Sequence, residues 1–483
     1  MSFAREKVIN LRLQKETGNQ ALSGDIPMVL IYPAHYGVGM ASCGFLHLHS
    51  RINSLKTYRC ERAFWPDYLR KFKFGKNVAF PVRSYESLTP INSFPLVGAS
   101  LSWEYELAQL LSMLISSGIE PVAAKRDENA PLLIAGGVLS RIAPFSLAPF
   151  FDLVFPVDNE DAFIDFLETY PELHGKKEIL QWASRRHNDV WAPLLDNKPP
   201  PTSFYPRNSP AITAISTPAA QFGKRILVET VKGCSRNCGF CVMSRRATGK
   251  KMEAIPAEKI FAALQPLPKA VGLVGPAVSD HPQIKEILRY LTANKVDTSL
   301  SSLRADRLDQ EFVELLAHSG YKTLTIAADG SSQRIRNLIS KGIFAKHLIK
   351  ATKLAKQFSI NRIKLFQMVV LPNETAEDLE ELCELGKELS SILPLVMTIS
   401  PFVPKPATPL ENSTFSSKKE IKQKLKYIQK ELRGKVEIKP VSWKAAAFEY
   451  YLDTTKEKGA LLLLQALKEN WSFAQLLRMM MNL

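Results

Sequence analysis

The stretch Ile226-Leu-Val-Glu-Thr-Val-Lys-Gly-Cys234-Ser-Arg-Asn-Cys238-Gly-Phe-Cys241 sets a buried strand directly before a loop that holds three cysteines. The chain has six cysteines in 483 residues, too few for a disulfide scaffold. A structural zinc site needs a fourth ligand, usually from a second pair nearby, and no histidine or cysteine follows this loop before His281. Three thiolates suit a [4Fe–4S] cluster that keeps one iron open. Structural zinc and inert thiols are the alternatives for this loop.

The predicted strands form two series. The second series starts with the strand that leads into the loop, and its short apolar runs alternate with helical patterns, which predicts parallel strands closing into a partial (β/α) barrel. The predicted barrel strands are Ile226–Val231, Ala270–Val274, Thr323–Ala327, Ile363–Leu371 and Leu395–Ser400. The same alternation before the loop predicts a doubly wound, Rossmann-like sheet. Its predicted strands are Met28–Tyr32, Pro95–Ser102, Leu132–Gly136 and Leu153–Val157.

The predicted fold class is α/β, and the chain divides into four predicted regions. Residues 1–186 hold the doubly wound domain, and the prolines of 187–224 indicate an extended linker. The barrel domain covers 225–415, and residues 416–483 form a small helical, basic C-terminal region. Ligands of a doubly wound sheet bind beyond the carboxyl ends of its strands. The segments that we expect to form this cleft are Pro33–Met40, Ser100–Glu104 and Gly136–Ile142.

The composition is that of a globular protein, with 46% hydrophobic and 23% charged residues. The N-terminus lacks the apolar core of a signal peptide, and no apolar stretch is long enough to cross a bilayer. We therefore expect a cytoplasmic protein with reduced thiols and no membrane partner. The formal charge of +16 makes nucleic acid, and RNA above all, a candidate partner. The basic run Lys418–Lys426, with apolar Ile421 and Leu425, also suits a solvated helix face.

The C-x3-C-x2-C spacing after a strand, with Phe240 before the third cysteine, resembles the signature of the radical S-adenosylmethionine (SAM) superfamily. Further stretches are similar to one branch of it, whose members carry a cobalamin-binding-like domain at the N-terminus. These stretches are Ala270–Asp280, Ser301–Asp306, Thr323–Ser332 and Ser400–Pro409. With the N-terminal strand ends included, the resemblance covers about residues 25–470.

The resemblance implies the ligands of an iron–sulfur cluster. Cys234, Cys238 and Cys241 would ligate the [4Fe–4S] cluster, and the backbone of Phe240 would lie near the adenine of SAM. Asp329 would also contact SAM, although relatives usually have a glutamate at this position. That difference weakens a specific role for this carboxylate.

The resemblance also implies contacts with the amino acid part of SAM. Gly275 and Pro276 stand where the family contacts its amino group, and a glycine there lets backbone approach the ligand closely. Ser302 and Arg304 are placed to contact the carboxylate or the ribose. For Arg304, a surface ion pair with Asp306 is the alternative.

In the N-terminal domain, the resemblance implies a cobalamin cleft. Ser100, Ser102, Gly136 and Gly137 stand where small residues of the family leave room for the nucleotide tail of cobalamin. The Asp-x-His-x-x-Gly motif that supplies the lower axial histidine is absent, because His35 has no aspartate two residues before it. Any cobalamin would therefore be bound without a histidine on cobalt. A tight strand-to-helix turn is the alternative for the glycine pair.

Three functions are compatible with these patterns. The first is an enzyme that reductively cleaves SAM and, with cobalamin, transfers a methyl group to an unreactive carbon. The second is a cobalamin-free radical SAM enzyme that modifies RNA or another macromolecule, and the third is a non-catalytic iron–sulfur scaffold. Both enzymes need a one-electron donor such as flavodoxin or ferredoxin. The sequence identifies neither a catalytic residue nor the substrate.

Overall fold

The computed structural model describes residues 2–18, 22–69, 72–74, 78–157, 159–200, 209–249, 251–301 and 303–483. Its contacts group the chain into two compact units. One unit holds Met1–Pro206, Ala211–Arg225 and Tyr451–Leu483, and the other holds Ile226–Tyr450. Among the described residues, no helix is both long and apolar enough to cross a membrane.

The first unit contains five parallel strands, as expected for a doubly wound sheet. They are β1 (Ile26–His35), β2 (Tyr58–Trp65), β3 (Leu96–Ser100), β4 (Leu132–Gly136) and β5 (Leu153–Val154). Their order in the sheet is β2-β1-β3-β4-β5. The direction of winding reverses between β1 and β3, and a ligand crevice opens at the carboxyl ends of strands at such a reversal. The sheet thus places the predicted cleft segments after β1, β3 and β4 at one edge.

The helices of this unit cover the sheet. They are α1 (Ser2–Leu13), α2 (Tyr36–Gly39), α3 (Cys43–Ser54), α4 (Glu104–Ser116), α5 (Leu139–Ile142), α6 (Pro144–Leu147), α7 (Glu160–Thr169) and α8 (Gly175–Arg186). Helix α4 coincides with the predicted helix at Trp103–Ser117, and its apolar positions Leu107, Leu110, Leu111 and Leu114 are buried. This spacing buries one side of the helix against the sheet.

The second unit continues the alternation of strands and helices. Its strands are β6 (Ile226–Glu229), β7 (Val231–Lys232), β8 (Glu253–Ala254), β9 (Ala270–Val274), β10 (Asp297–Leu300), β11 (Thr323–Asp329), β12 (Arg362–Val369), β13 (Leu395–Pro401) and β14 (Glu437–Pro440). Two parallel sheets have the orders β10-β9-β6 and β11-β12-β13-β14, and β7 pairs with β8 as an antiparallel hairpin. The strands follow one another in the sequential order of a (β/α) barrel, which confirms the predicted α/β class.

Helices follow these strands, and those residues of α17 and α18 that lie from Tyr451 onward group with the first unit. They are α9 (Arg245–Thr248), α10 (Ala257–Ala263), α11 (Ile284–Ala293), α12 (Gln310–His318), α13 (Gln333–Leu338), α14 (Ala345–Gln357), α15 (Ala376–Ile392), α16 (Lys418–Glu431), α17 (Trp443–Lys468) and α18 (Phe473–Met480). The path of α17 is kinked at Lys456, where φ is +54°. The C-terminal region is thus helical as predicted.

The four predicted regions do not coincide with the two compact units. Strand β14 pairs with β13, so the sheet extends beyond residue 415, and residues from Tyr451 onward group with the first unit. Isolated bridges tie the linker stretch 187–224 to the first unit, between Trp191 and Val154 and between Ser216 and Thr17. Residues 201–208 of that stretch lie outside the described residues. The division into four regions stays a prediction.

Candidate active site

The cysteine loop begins at a turn that requires glycine. Gly233 follows β7 with φ at +66°, and a Cβ there would lie 3.3 Å from the backbone oxygen of Lys251. Residues other than glycine rarely adopt this backbone conformation. The glycine therefore allows the chain to turn out of the hairpin that β7 forms. The loop is closed farther on, because Arg245 donates its backbone N–H to the carbonyl of Arg236 at 2.8 Å.

The middle of the loop is held by backbone hydrogen bonds and by apolar packing. The N–H of Gly239 donates to the carbonyl of Ile339 at 2.9 Å, and its carbonyl accepts from Leu410 at 3.1 Å. The Phe240 side chain packs against an apolar cluster that includes Phe402 and Ile421. These contacts fix the path of the loop between Cys238 and Cys241.

The three thiols lie in a partly buried environment. Cys238 is buried, and burial raises its pKa, although the positive charges of Lys341 and Arg304 oppose the rise. Burial raises the pKa of Cys241 to about 11, and the neighbouring thiols Cys238 and Cys234 add to it. Thiols in such surroundings become ligands only when a metal compensates the charge of the thiolate.

A single metal ion and a [4Fe–4S] cluster need different spacings between their ligand side chains. Across the described ranges, no three His, Cys, Asp or Glu side chains are gathered as a single metal ion requires. In a [4Fe–4S] cluster each thiolate binds a different iron, so the ligands stand farther apart than around one ion. That Cys234, Cys238 and Cys241 ligate a cluster stays a prediction from their spacing in the sequence.

A buried carboxylate anchors the cysteine loop to the end of β9. Asp280 accepts from Arg236 at 2.7 and 2.6 Å, from the Ser235 hydroxyl at 3.1 Å and from Arg307 at 2.8 Å. Burial alone would raise the pKa of Asp280, but the hydrogen bonds from Arg236 and Arg307 lower it to about 2. The sequence did not reveal this anchor, because its partners are 44 residues apart in the chain.

Arg304 forms the ion pair that was the alternative to a SAM contact. Its Nε lies 3.0 Å from Oδ1 of Asp306, and its Nη2 donates to the carbonyl of Lys341 at 2.9 Å. Asp306 also lies 3.5 Å from Nη1 of Arg236, which joins this pair to the anchor of the cysteine loop. Ser302, predicted beside Arg304, lies outside the described residues. A contact of either residue with SAM stays a prediction.

Gly275 and Pro276 follow β9 at the edge that carries the cysteine loop. A Cβ on Gly275 would lie 2.8 Å from the backbone oxygen of Val231, and its φ is +150°. Its N–H donates to the hydroxyl of Ser301 at 3.2 Å. Glycine is thus required for packing of this turn against β7, independently of any ligand.

Asp329 ends β11 with φ at +61° and forms an ion pair with Lys341. Lys341 is the residue whose carbonyl binds Arg304, so the predicted SAM contacts Arg304 and Asp329 meet at this one lysine. Lys341 had no signal in the sequence, because an isolated lysine after a helix is ordinarily a surface residue.

In the first unit, the structure brings the predicted cobalamin residues Ser100 and Gly136 together. They are partners in the register of β3 and β4. A Cβ on Gly136 would meet no atom within 4 Å, whereas one on Gly137 would lie 2.5 Å from the backbone oxygen of Leu101. Gly137, with φ at +92°, is required by the turn itself, and the open space lies in front of Gly136.

Ser102 is held by a carboxylate that the sequence did not single out. Its N–H donates to Oε2 of Glu106 at 2.5 Å, and the N–H of Trp103 donates to the same oxygen at 3.1 Å. Burial raises the pKa of Glu106 to about 7, although these two donors oppose the rise. His35 ends β1 with its Nδ1 3.6 Å from Oδ1 of Asp67, a partner far from it in sequence.

Two family descriptions match the chain. Residues 44–193 match "Radical SAM proteins, N-terminal", and residues 228–386 match "Radical SAM superfamily". The uncharacterized protein MJ0966 of Methanocaldococcus jannaschii is 29% identical over 420 residues, which cover 84% of this chain and 83% of that protein. The uncharacterized methyltransferase PH0819 of Pyrococcus horikoshii is 26% identical over 178 residues, 34% of this chain and 37% of that protein.

Solved structures share the fold over nearly the whole chain. The radical SAM methyltransferase TsrM of Kitasatospora setae, solved with cobalamin and a [4Fe–4S] cluster, matches with a TM-score of 0.55 and 11% identity. The match covers 92% of this chain and 99% of TsrM. The cobalamin-dependent radical SAM enzyme OxsB matches with a TM-score of 0.50 and 14% identity, over 93% of this chain and 62% of OxsB. Because the two radical SAM family matches, at residues 44–193 and 228–386, together cover more than half of the chain, the chain belongs to the radical SAM superfamily.

Proposed function

We propose that this radical SAM enzyme cleaves SAM reductively at a [4Fe–4S] cluster held by Cys234, Cys238 and Cys241. The observation that carries the proposal is the anchored loop, whose described residues 233–249 present three thiols and no fourth metal ligand. The cluster would supply the electron that breaks a carbon–sulfur bond of SAM, while the protein binds and orients the cofactors. An oxygen-sensitive cluster and reduced thiols also suit the cytoplasm, where we propose that the protein acts.

The residues around the loop would position SAM rather than react with it. Gly275 and Pro276 after β9, Ser302 and Arg304 after β10, and Asp329 at the end of β11 are the proposed contacts. Arg304 is already bound to Asp306, so its guanidinium would keep a fixed position while its remaining N–H groups face the ligand. Such fixed donors cost little reorganisation when a ligand binds.

We further propose that the enzyme uses cobalamin to transfer a methyl group to an unreactive carbon. The reversal of strand order between β1 and β3, with open space before Gly136, supports a cofactor cleft in the first unit. TsrM and OxsB, which share the fold, were both solved with cobalamin. Ser100, Ser102 and Gly136 would face the cofactor, while Gly137 shapes the turn. No histidine would bind cobalt, because His35 is turned to Asp67.

The alternative is a cobalamin-free enzyme that modifies RNA. The formal charge of +16 favours it, because phosphate groups attract an excess of basic side chains.

Two measurements on anaerobically purified protein test these proposals. The first is release of cleaved SAM products by the reduced protein, which we expect for the wild type and which would fail if the cluster were only structural. The second is gel filtration after an excess of hydroxocobalamin. We expect corrinoid absorbance to travel with the protein. Protein that cleaves SAM but emerges without corrinoid would contradict the methyltransferase and favour the alternative.

A further inference from the structure

Helix α16 carries a row of basic side chains on one side. Positions three or four apart in a helix lie on the same side, and four lysines of α16 have this spacing. An arginine continues the row just beyond the helix end. This basic row, in which every residue is exposed, consists of Lys419, Lys422, Lys426, Lys430 and Arg433.

The other sides of α16 are occupied by the rest of the second unit. Ile421, Ile428 and Leu432 are fully buried. Leu432 packs on α15, where its methyl groups would lie 3.2 Å from a Cβ at Gly386. Glu431 lies 3.5 Å from Lys387 of the same helix α15. The basic row is thus turned away from α15 and toward solvent.

The basic row also differs from Lys418 and Lys424 of the same helix, whose side chains contact other parts of the unit. Lys424 is paired with Glu374 at 3.1 Å, and Lys418 lies 5.7 Å from the ring centre of Trp443. Within the described part of the chain, no carboxylate is within ion-pair distance of any residue in the basic row. Five positive charges therefore stand together on one surface, which favours an acidic partner.

The inner side of α16 shares an apolar cluster with the cysteine loop. Ile421 is a buried member of the cluster, and Leu410 and Phe240, the residue between the second and third cysteines, both pack against it. Leu410 also donates its N–H to the carbonyl of Gly239 in the loop. Helix α16 and the cysteine loop are therefore joined through one apolar cluster.

We propose that the basic row is the docking surface for an acidic protein that carries one electron, such as a flavodoxin or a ferredoxin. The inference rests on the proposed function, which needs an electron for each cleavage of SAM. One electron would leave the reduced centre of the donor and reduce the cluster, with no bond formed or broken. A nucleic acid would also bind positive charge, but the link of α16 to the cysteine loop through one apolar cluster favours the electron donor.

The experiment compares two kinds of reductant, protein donors and a small molecule, on the reconstituted wild type and on two matched variants. Reduced flavodoxin and reduced ferredoxin are the protein donors, and reduced methyl viologen is a small donor that needs no docking surface. The test variant is Lys422→Glu/Lys426→Glu. The control is Lys353→Glu/Lys356→Glu, which makes the same charge change at exposed positions of α14. Stopped-flow absorbance follows reduction of the cluster at low and at high salt.

We expect the test variant to be reduced about tenfold more slowly by the protein donor at low salt, because electrostatic attraction raises association rates by about this factor or more. High salt should reduce the difference between the test variant and the wild type. Methyl viologen should reduce all three proteins equally, and the control should behave like the wild type with every donor.

Three results would overturn the proposal. One is an equal rate of reduction for the test variant and the wild type. Another is an equal loss in the control, which would mean that net charge alone matters. The third is a failure of both protein donors to reduce a wild type that methyl viologen reduces. Loss of single-stranded RNA binding in the test variant, with donor kinetics unchanged, would assign the row to nucleic acid. Failure with methyl viologen would contradict the proposed function itself.

Discussion

The two predicted cofactor regions each contain a buried carboxylate that holds the loop after a strand, and the two carboxylates differ in charge. Asp280 in the second unit is surrounded by Arg236 and Arg307, and its pKa is lowered to about 2. Glu106 in the first unit accepts only backbone N–H groups at its loop, and burial raises its pKa to about 7. One loop is held by ion pairs and the other by backbone hydrogen bonds to a carboxyl group whose pKa is raised by burial.

This difference matches the ligands that each region is proposed to take. Cluster ligands must be held in a fixed arrangement, and charge-assisted hydrogen bonds to the loop supply that rigidity. A cobalamin tail needs space against backbone, and the open face of Gly136 supplies it without a charged side chain. We therefore expect the cysteine loop to be sensitive to removal of the charge on Asp280. We expect the cleft of the first unit to be sensitive to a larger side chain at Gly136.

The largest effect is expected from removal of a thiol. Cys238→Ala, Cys234→Ala and Cys241→Ala should each abolish the cluster and all SAM cleavage, because no spare ligand lies in the loop. Iron content and electron paramagnetic resonance after anaerobic reconstitution measure the loss. Cys383→Ala is the matched control, since Cys383 is a buried free thiol of α15, and it should keep its iron. Wild-type iron in any of the three loop variants would refute the assignment.

Removal of the charge on Asp280 should weaken the cluster without abolishing it. In Asp280→Asn, Arg236 loses the nearer of its two charged partners, so iron should be lost to a chelator about tenfold faster or more, as for other residues that orient metal ligands. Glu311→Gln is the control, because Glu311 forms surface ion pairs with Arg289 and Lys285. Equal rates of iron loss in Asp280→Asn and in the control would remove Asp280 from its anchoring role.

Added volume tests the cleft of the first unit. Gly136→Val places a side chain where no atom lies within 4 Å, so the fold should persist while cobalamin retention falls several-fold. Gly137→Val would collide with the backbone of Leu101 and should lower the melting temperature of the protein with or without cobalamin. Gel filtration with hydroxocobalamin and circular dichroism separate the two effects. Unchanged retention in a folded Gly136→Val protein would contradict the proposed position of the cofactor.

The smallest effect concerns pH. Because the pKa of Glu106 is raised to about 7, its folded-state stabilisation is complete below the unfolded pKa near 4.5 and is lost as pH rises through about 7. Glu106→Gln keeps the hydrogen-bond acceptor but cannot ionise. Relative to this variant, the wild type should lose a few degrees in melting temperature between about pH 5.5 and 8. A constant difference over that interval would show that Glu106 does not titrate there.

Much of the fold was predictable because most of its strands are apolar runs in the sequence. The proposed cluster ligands were predictable because the three cysteines lie close together in the chain. The predicted strands Leu132–Gly136 and Ala270–Val274 coincide with β4 and β9. Strand β2 was not predicted, because Tyr58–Trp65 contains charged side chains in mid-strand. Arg62 is nevertheless buried, paired with Glu16 and Glu86 from distant parts of the chain. Such long-range compensation leaves no periodic signal in a single sequence.

The same limit applies to the site. The three cysteines lie within one short loop, so the sequence alone was sufficient to predict them as cluster ligands. The anchor from Arg236 to Asp280 joins residues 44 apart, and the pair of Lys341 with Asp329 depends on how β11 ends. Gly137 was predicted to leave room for a ligand, but a turn against Leu101 already requires it. Backbone contacts of this kind become visible only in three dimensions.

Electron paramagnetic resonance of the anaerobically reduced protein, recorded before and after SAM is added, tests the proposed cluster most directly. An open iron that binds the amino and carboxylate groups of SAM must change the spectrum of the reduced [4Fe–4S] cluster. We predict a cluster signal that shifts on addition of SAM and that Cys234→Ala, Cys238→Ala and Cys241→Ala all lack. A reduced cluster whose spectrum stays the same with saturating SAM, or protein without a cluster after reconstitution, would contradict the proposal.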